Sequence, residues 1–95
     1  MSVQVIVSHH VADFPKWKAV FDEHEKVRRE HGGLGHALYQ GANDPGEVVI
    51  VNTFESAAGA QAFLDDPSLA EAMKRAGVDR APDLTVCRQV ETIAY

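Results

Sequence analysis

The chain has 95 residues, 45% of them hydrophobic and 24% charged, which is the composition of one globular domain rather than of a disordered segment. Acidic residues outnumber basic ones 14 to 9, so we expect no basic surface for binding nucleic acid. We also expect no membrane association and a cytoplasmic location, because no apolar run approaches ~20 residues, no signal-peptide pattern is visible, and the single Cys87 cannot form an intrachain disulfide.

Strand and helix patterns alternate along the chain. In chain order they predict a strand over 3–11, a helix over 13–31, strands over 34–40 and 47–54, helical segments over 57–64 and 68–76, and a strand over 84–93. Asp13 is the expected N-cap of the first helix, and "GG" at 32–33 is its expected stop. Ser56 is the expected N-cap of the next helical region, and "DDP" at 65–67 interrupts that region. The helical pattern then resumes after a second expected cap, Ser68.

This order, β-α-β-β-α-β, predicts a single α+β domain over 1–95 with the ferredoxin-like arrangement. In that arrangement one four-stranded antiparallel sheet carries both helical regions on one face. The third strand is apolar on both sides, with Val48 and Ile50 on one face and Val49 and Val51 on the other. A domain of this size has nothing left to cover the second face. We therefore predict a homodimer formed through the sheet faces.

The predicted first helix carries polar residues on its apolar face. Its N-terminal half is aromatic, with Trp17 and Phe21 at helical spacing, whereas His24, Arg28 and His31 follow on the same stripe. His24 is either a hydrogen-bonded core histidine or a pocket residue. Arg28 either reaches around the sheet edge, pairs with a carboxylate or binds a ligand, and His31 either interacts with the helix C-terminus in solvent or binds a ligand.

Other polar residues interrupt the apolar strands. Asn52 lies between Ile50 and Phe54 in strand three, as a hydrogen-bonded sheet residue or a pocket wall, and His36 is placed on an inward face of strand two. His9 and His10 project to opposite faces, so one of them is expected to face the same cavity as His24. Five histidines suggest a metal, but no H-E-x-x-H or C-x-x-C motif is present, so we predict no metal site while leaving open ligands distant in the sequence.

Four stretches of the chain resemble one family. They are "DFPKWKAVFDEH" (13–24), Arg28 with "HGGLGHALYQ" (31–40), "DPGEVVIVNTFES" (44–56) and "AMKRAGV" (72–78). Through them the chain resembles the dimeric α/β-barrel superfamily, close to the antibiotic-biosynthesis-monooxygenase-like and small polyketide-cyclase-like proteins. The resemblance implies a homodimer with a pocket in each subunit between the helices and the concave sheet. It also implies that Asn52 and Phe54 line this pocket from strand three.

On that basis we expect a small-molecule pocket without a cofactor. His24 would act as general base and Arg28 would stabilise an oxyanion, while Trp17 and Phe21 would stack on an aromatic, polyketide-like substrate, with His31 and His36 as further binding residues. The expected activity is that of a cofactor-independent monooxygenase or cyclase. A non-catalytic dimeric ligand-binding or stress-associated module is the alternative, and a histidine metal- or haem-binding protein is the second. Haem-degrading relatives use an Asn, a Trp and a helix-borne His. These residue types occur in this chain without a matching spacing, so we do not assign it the haem role.

Overall fold

Four antiparallel strands form one sheet whose helix-facing side holds the core. The computed structural model describes residues 2–95. Its elements are β1 (Val3–His10), α1 (Phe14–Glu23), α2 (Glu25–Glu30), β2 (Gly33–Gln40), β3 (Glu47–Phe54), α3 (Ala57–Asp65), α4 (Pro67–Arg75) and β4 (Asp83–Cys87). The strand order is β2-β3-β1-β4, and all neighbouring strands are antiparallel. The predicted ferredoxin-like α+β fold is confirmed.

The first helical region is divided at His24, so the prediction of one uninterrupted helix over 13–31 is wrong. The N–H of His24 is shared between the carbonyls of Val20 and Phe21, at 3.1 and 3.2 Å. Its own carbonyl accepts from the N–H of Val27 at 3.1 Å, three residues later. These three-residue hydrogen bonds tighten the turn at His24 and end α1 there. The predicted N-cap is confirmed, because the Asp13 carboxylate accepts from the N–H of Lys16.

The helix α4 is capped by Asp66 instead of the predicted Ser68. The carboxylate of Asp66 accepts from the N–H of Ser68 at 2.9 Å, and Pro67 occupies the first helical position. Proline is favoured there because its missing N–H would have no partner in the first turn of a helix. The predicted cap at Ser56 is confirmed, since its hydroxyl accepts from the N–H of Gly59 at 3.0 Å.

The last strand is shorter than the predicted 84–93. β4 pairs antiparallel with β1 from Ser8↔Asp83 to Gln4↔Cys87. Because β1 begins at Val3, only one residue after Cys87 could still pair with it, and the chain beyond that residue has no neighbouring strand. Residues 88–95 are exposed and lie outside the sheet.

The two faces of the sheet differ in burial. On the helix-facing side the alternate residues of β1, from Val3 to His9, are all buried. On the open side, one row across the sheet holds Ile6, Val51 and Ala37, and Tyr39 stands 56% exposed in the next row. The sheet thus keeps a partly apolar open face. Within residues 2–95, no helix is long and apolar enough to cross a membrane.

Candidate functional site

Three aromatic rings stack along α1. The ring centroids of Phe14 and Trp17 are 5.7 Å apart, and those of Trp17 and Phe21 are 4.9 Å apart with a 15° angle between the ring planes. The guanidinium carbon of Arg28 lies 3.8 Å from the centroid of the Phe21 ring and continues the stack. Spacings of three, four and seven residues place these side chains on one helical face. The result is a column of stacked aromatic rings above the sheet, ended by a cation.

Beneath this stack lies a cavity, here called the aromatic cavity. The helix-facing side of β1 and β3 forms its floor, and the helices form its walls; the residues used below are His9, Trp17, Phe21, His24, Arg28 and Asn52. The cavity, including its open mouth, has a volume of about 440 Å³.

His24 is a buried wall of this cavity, and its ring is held in place from outside. Its Nε2 is 2.9 Å from the hydroxyl of Ser68 on α4, and the residue is 8% exposed. Burial, followed by the positive charge of Arg28, lowers the pKa of His24 below its ordinary value. The imidazole is therefore neutral at pH 7 and able to accept a proton. Both readings of His24 apply, because it is hydrogen-bonded within the protein and also borders the cavity.

Arg28 is a buried cation, 5% exposed. Its Nη1 donates to the carbonyl of Phe21 at 2.9 Å, whereas its Nη2 is buried without any hydrogen-bond partner. Burial lowers its pKa, but a guanidinium stays charged in proteins. Arg28 is not paired with a carboxylate, since none of the ion pairs formed within residues 2–95 includes it. It does not reach solvent around the sheet edge either, because it is buried.

Asn52 and His9 present two further polar side chains to the cavity. The side-chain amide N–H of Asn52 faces the Val5 carbonyl at 3.5 Å, while its Oδ1 is buried without a partner. His9 is 5% exposed, and neither of its ring nitrogens has a partner. Burial lowers the pKa of His9. Of His9 and His10, it is His9 that faces the same cavity as His24, because it lies on the helix-facing side of β1 with Val5 and Val7.

Three of the candidate residues lie outside the aromatic cavity. His31 pairs with the carboxylate of Asp66 at 2.9 Å; this hydrogen bond, and those from Ser68, lower the pKa of Asp66 to about 2. Phe54 is fully buried in the core, with its ring centroid 5.2 Å from that of Phe63. His36 has the expected helix-facing direction but is exposed, because β2 is an edge strand. The centroid of its ring lies 4.8 Å from that of Phe21, with the two ring planes perpendicular.

A second cluster of polar residues lies at the far end of β1. Ligand atoms of His10, Asp44 and Glu47 come within 4.8 Å of one another. The ring of His10 is also 3.0 Å from the carboxylate of Asp79 and 3.5 Å from that of Asp44. Sequence spacing did not predict this cluster, because its members come together only through strand pairing and a loop. Its contacts are those of a histidine held between carboxylates.

Comparison with known proteins gives one family match and several similar structures. The family model described as antibiotic biosynthesis monooxygenase matches residues 11–75. A putative antibiotic biosynthesis monooxygenase from Bordetella bronchiseptica is 18% identical, with 95% of this chain and 98% of that chain covered and a TM-score of 0.78. A mutant form of SnoaB, a cofactor-independent oxygenase from Streptomyces nogalater, is 13% identical over 99% of this chain and 98% of that one, with a TM-score of 0.79.

Rv0793 from Mycobacterium tuberculosis is 19% identical over 99% of this chain and all of that one, with a TM-score of 0.70. At these identities the structures establish a shared fold. No curated protein matches the chain.

Proposed function

Because the chain belongs to the antibiotic biosynthesis monooxygenase family, we propose that it is a cofactor-independent monooxygenase or cyclase acting on an aromatic, polyketide-like substrate. One observation carries the proposal: an aromatic-walled cavity holds a neutral histidine and a buried, unpaired guanidinium nitrogen. Pockets of this kind combine apolar walls with a few placed polar groups. That a protein of the same fold is described as a cofactor-independent oxygenase adds support.

Substrate binding depends on the aromatic stack. Trp17 and Phe21 offer ring edges to a flat substrate, because their faces are covered within the stack, and their contact with each other fixes both rings before binding. A substrate ring beneath them would place its oxygen substituents near Arg28 at one end of the stack. Most of the side chains around this space are apolar, and a low local dielectric strengthens the interaction between a cation and a developing oxyanion.

The chemistry requires a base and an oxyanion partner. Neutral His24 removes a proton from a phenol or an activated CH₂ group, and Arg28 stabilises the resulting phenolate or enolate. In the oxygenase reaction the electron-rich anion transfers an electron to O₂, and the radical pair combines at carbon to form a hydroperoxide. Loss of water then leaves a carbonyl, so that CH₂ and O₂ become C=O and H₂O. In the cyclase reaction the same enolate attacks a carbonyl carbon of the substrate instead.

Oxygen uptake tests the proposal and separates the two reactions. With 1,8-dihydroxyanthrone and no added cofactor, the protein should accelerate O₂ consumption and form the quinone in equal amounts. His24→Ala should lower this rate about 10²- to 10⁴-fold, the usual contribution of a general base. The exposed Lys16 on α1 provides the control, and Lys16→Ala should retain the rate. An uncatalysed rate with the wild-type protein would refute the oxygenase, and an equal rate in both variants would refute the role of His24.

We extend the proposal to a homodimer formed through the open sheet face. The row of Ile6, Val51 and Ala37 at the centre of that face supports it, since a contiguous apolar surface is unfavourable in water. Val51→Asp would place a charge in the middle of the interface. Sedimentation velocity should then show a folded monomer, whereas the wild type sediments as a dimer. A wild-type monomer would refute this part.

Two alternatives have distinct signatures. A non-catalytic ligand-binding module would bind aromatic compounds without consuming O₂. A metal-binding protein is favoured only by the cluster of His10, Asp44 and Glu47, and would retain metal that a chelator removes. We place the protein in the cytoplasm, where the unpaired thiol of Cys87 would stay reduced.

A further inference from the structure

A line of hydrogen bonds connects His24 to a carboxylate. Nε2 of His24 lies 2.9 Å from the hydroxyl oxygen of Ser68. Ser68 is hydrogen-bonded to the carboxylate of Asp66 through its side chain and through its backbone N–H, the latter at 2.9 Å. Nε2 of His31 lies 2.9 Å from the same carboxylate. These four residues are here called the Asp66 network, and His24 is its one member that also lines the aromatic cavity.

Charge decides the direction of these hydrogen bonds. A serine hydroxyl has a single hydrogen, which can go either to the imidazole nitrogen or to the carboxylate. Asp66 accepts from the N–H of Ser68 and, with a pKa of about 2, is an anion at neutral pH. An ionised carboxylate is a stronger acceptor than a neutral imidazole. Ser68 therefore donates to Asp66, and its oxygen accepts from an N–H at Nε2 of His24.

This direction fixes the tautomer of His24. A neutral imidazole has one N–H and one unprotonated nitrogen, and the partner of the first determines which is which. With its hydrogen on Nε2, His24 carries its lone pair on Nδ1. Nδ1 forms no hydrogen bond within residues 2–95 and, unlike the two ring nitrogens of His9, is not fully buried. Nδ1 is therefore the nitrogen that can take a proton.

The network also supports the protonated form of His24. When Nδ1 takes a proton, the ring becomes a cation whose Nε2–H is linked through Ser68 to the anionic Asp66. Asp66 raises the pKa of His24, whereas burial lowers it together with the positive groups Arg28 on α2, Arg75 on α4 and His31. Two exposed residues of opposite charge also line the outer groove beside His24, namely Glu23 and Lys26. Asp66 thus offsets part of the basicity that burial and Arg28 remove.

Packing holds the members of the network in place before any substrate binds. The ring centroid of the buried Phe63 lies 5.8 Å from that of His24 and 6.4 Å from that of His31. The carboxylate of Asp66 is fixed at both oxygens, by the N–H of Ser68 at Oδ1 and by His31 at Oδ2. His31 thus has a place in the site that does not require contact with a substrate.

We infer that Ser68 and Asp66 are positioning residues that make Nδ1 of His24 the base, and that His31 serves the same site by holding Asp66. Interactions of this kind, one contact removed from the reacting group, orient an imidazole and set its basicity. The inference rests on the proposed function for the role of His24 as a base. It adds which nitrogen reacts and which residues orient it.

The tautomer can be measured without a substrate. In protein labelled with ¹⁵N-histidine, ¹H–¹⁵N spectra at pH 7.5 should show His24 protonated at Nε2 and unprotonated at Nδ1, with its signals assigned by their absence in His24→Ala. Ser68→Ala should lower the pKa of His24 further, whereas the matched control Ser68→Thr keeps the hydroxyl and should keep the wild-type pKa. Asp66→Asn retains a helix cap without the charge and should lower the pKa of His24 as well.

Two results of this experiment would overturn the inference. A hydrogen on Nδ1 of His24 in the wild type would show that Ser68 donates to His24, which is the opposite direction. An unchanged pKa of His24 in Ser68→Ala would show that the network does not act on the base.

Catalysis supplies the second readout. The kcat/KM for O₂ consumption with 1,8-dihydroxyanthrone should fall in acid as His24 becomes protonated. In Ser68→Ala its plateau should be about 3- to 10-fold lower, the loss of one hydrogen bond that strengthens as the ring gains charge, and the acid limb should move to lower pH. Ser68→Thr should restore both features, which a purely structural role of Ser68 would not predict.

The outcomes separate this inference from the proposed function. A wild-type pH profile in Ser68→Ala, with His24→Ala still inactive, refutes the positioning role and leaves the proposed function in place. An absence of turnover in the wild type refutes the proposed function and the role of the network in it, whereas the tautomer of His24 is established by the spectra alone.

Discussion

Replacing His9 by phenylalanine should stabilise the protein. His9 is 5% exposed, and its two ring nitrogens have no hydrogen-bond partner, so folding removes them from water without compensation. That desolvation costs about 1–3 kcal/mol by mutational measurements. Phenylalanine keeps the edge-on contact with Trp17, and the adjoining cavity has room for its larger ring. We expect the free energy of unfolding to rise by about 1–2 kcal/mol, or the Tm by roughly 4–16 °C for a domain of this size.

The gain should grow as the pH falls below about 6.5. Burial lowers the pKa of His9 in the folded protein, so in acid the unfolded chain binds a proton that the folded chain resists. The wild type therefore loses stability as the pH falls through the ordinary histidine range, and His9→Phe lacks this contribution. His24 and the other histidines remain in both proteins, so the difference between the two curves isolates His9.

Urea unfolding at pH 7.5, 6.5 and 5.5, at one fixed protein concentration, measures both effects. A fixed concentration is required because dimer formation would itself shift the transition. Lys16→Met is the control, since Lys16 is exposed on α1 and should give little change. If His9→Phe lowers the free energy of unfolding by about 1 kcal/mol or more at pH 7.5, the ring nitrogens of His9 have hydrogen-bond partners in the folded protein, and the argument that they are unpartnered is wrong.

Three further substitutions test other parts of the structure. Phe54→Ala should lower the free energy of unfolding by about 3–5 kcal/mol, measured by urea, because Phe54 is fully buried core; Phe54→Leu should cost clearly less, and equal costs would contradict this packing. Gly33→Ala should lower both stability and the catalysed rate of O₂ consumption, because its Cβ would lie 2.6 Å from the Arg28 carbonyl oxygen. The Cβ of Gly35→Ala meets nothing within 4 Å, so this control should be neutral in both assays. Asp66→Asn keeps a competent N-cap but removes a carboxylate of pKa about 2, so the stability advantage of the wild type should hold above pH 4 and disappear between about pH 4 and pH 2 in acid-unfolding curves.

Local chemistry made most of the fold predictable. Alternating residues define β1 and β3, and the caps at Asp13 and Ser56 form as their residue types predict. The errors arise where a neighbouring element determines the outcome. β1 begins at Val3, so β4 could not continue to residue 93 as predicted, and Asp66 is the cap because Pro67 occupies the first helical position. The residue types along one segment predict neither which strand pairs with it nor which of two neighbouring residues caps a helix.

Helical spacing by itself placed Trp17, Phe21, His24 and Arg28 on one face, because the period of a helix is local. His31 and Phe54 fitted the same periodic patterns but lie outside the cavity. His31 is hydrogen-bonded to Asp66, and Phe54 is buried in the core. Only the tertiary structure decided which polar atoms keep a partner, since Ser68 and Asp66 reach the helix from elements remote in the sequence. The unpartnered atoms of His9, Arg28 and Asn52 became recognisable once the sheet register had fixed their surroundings.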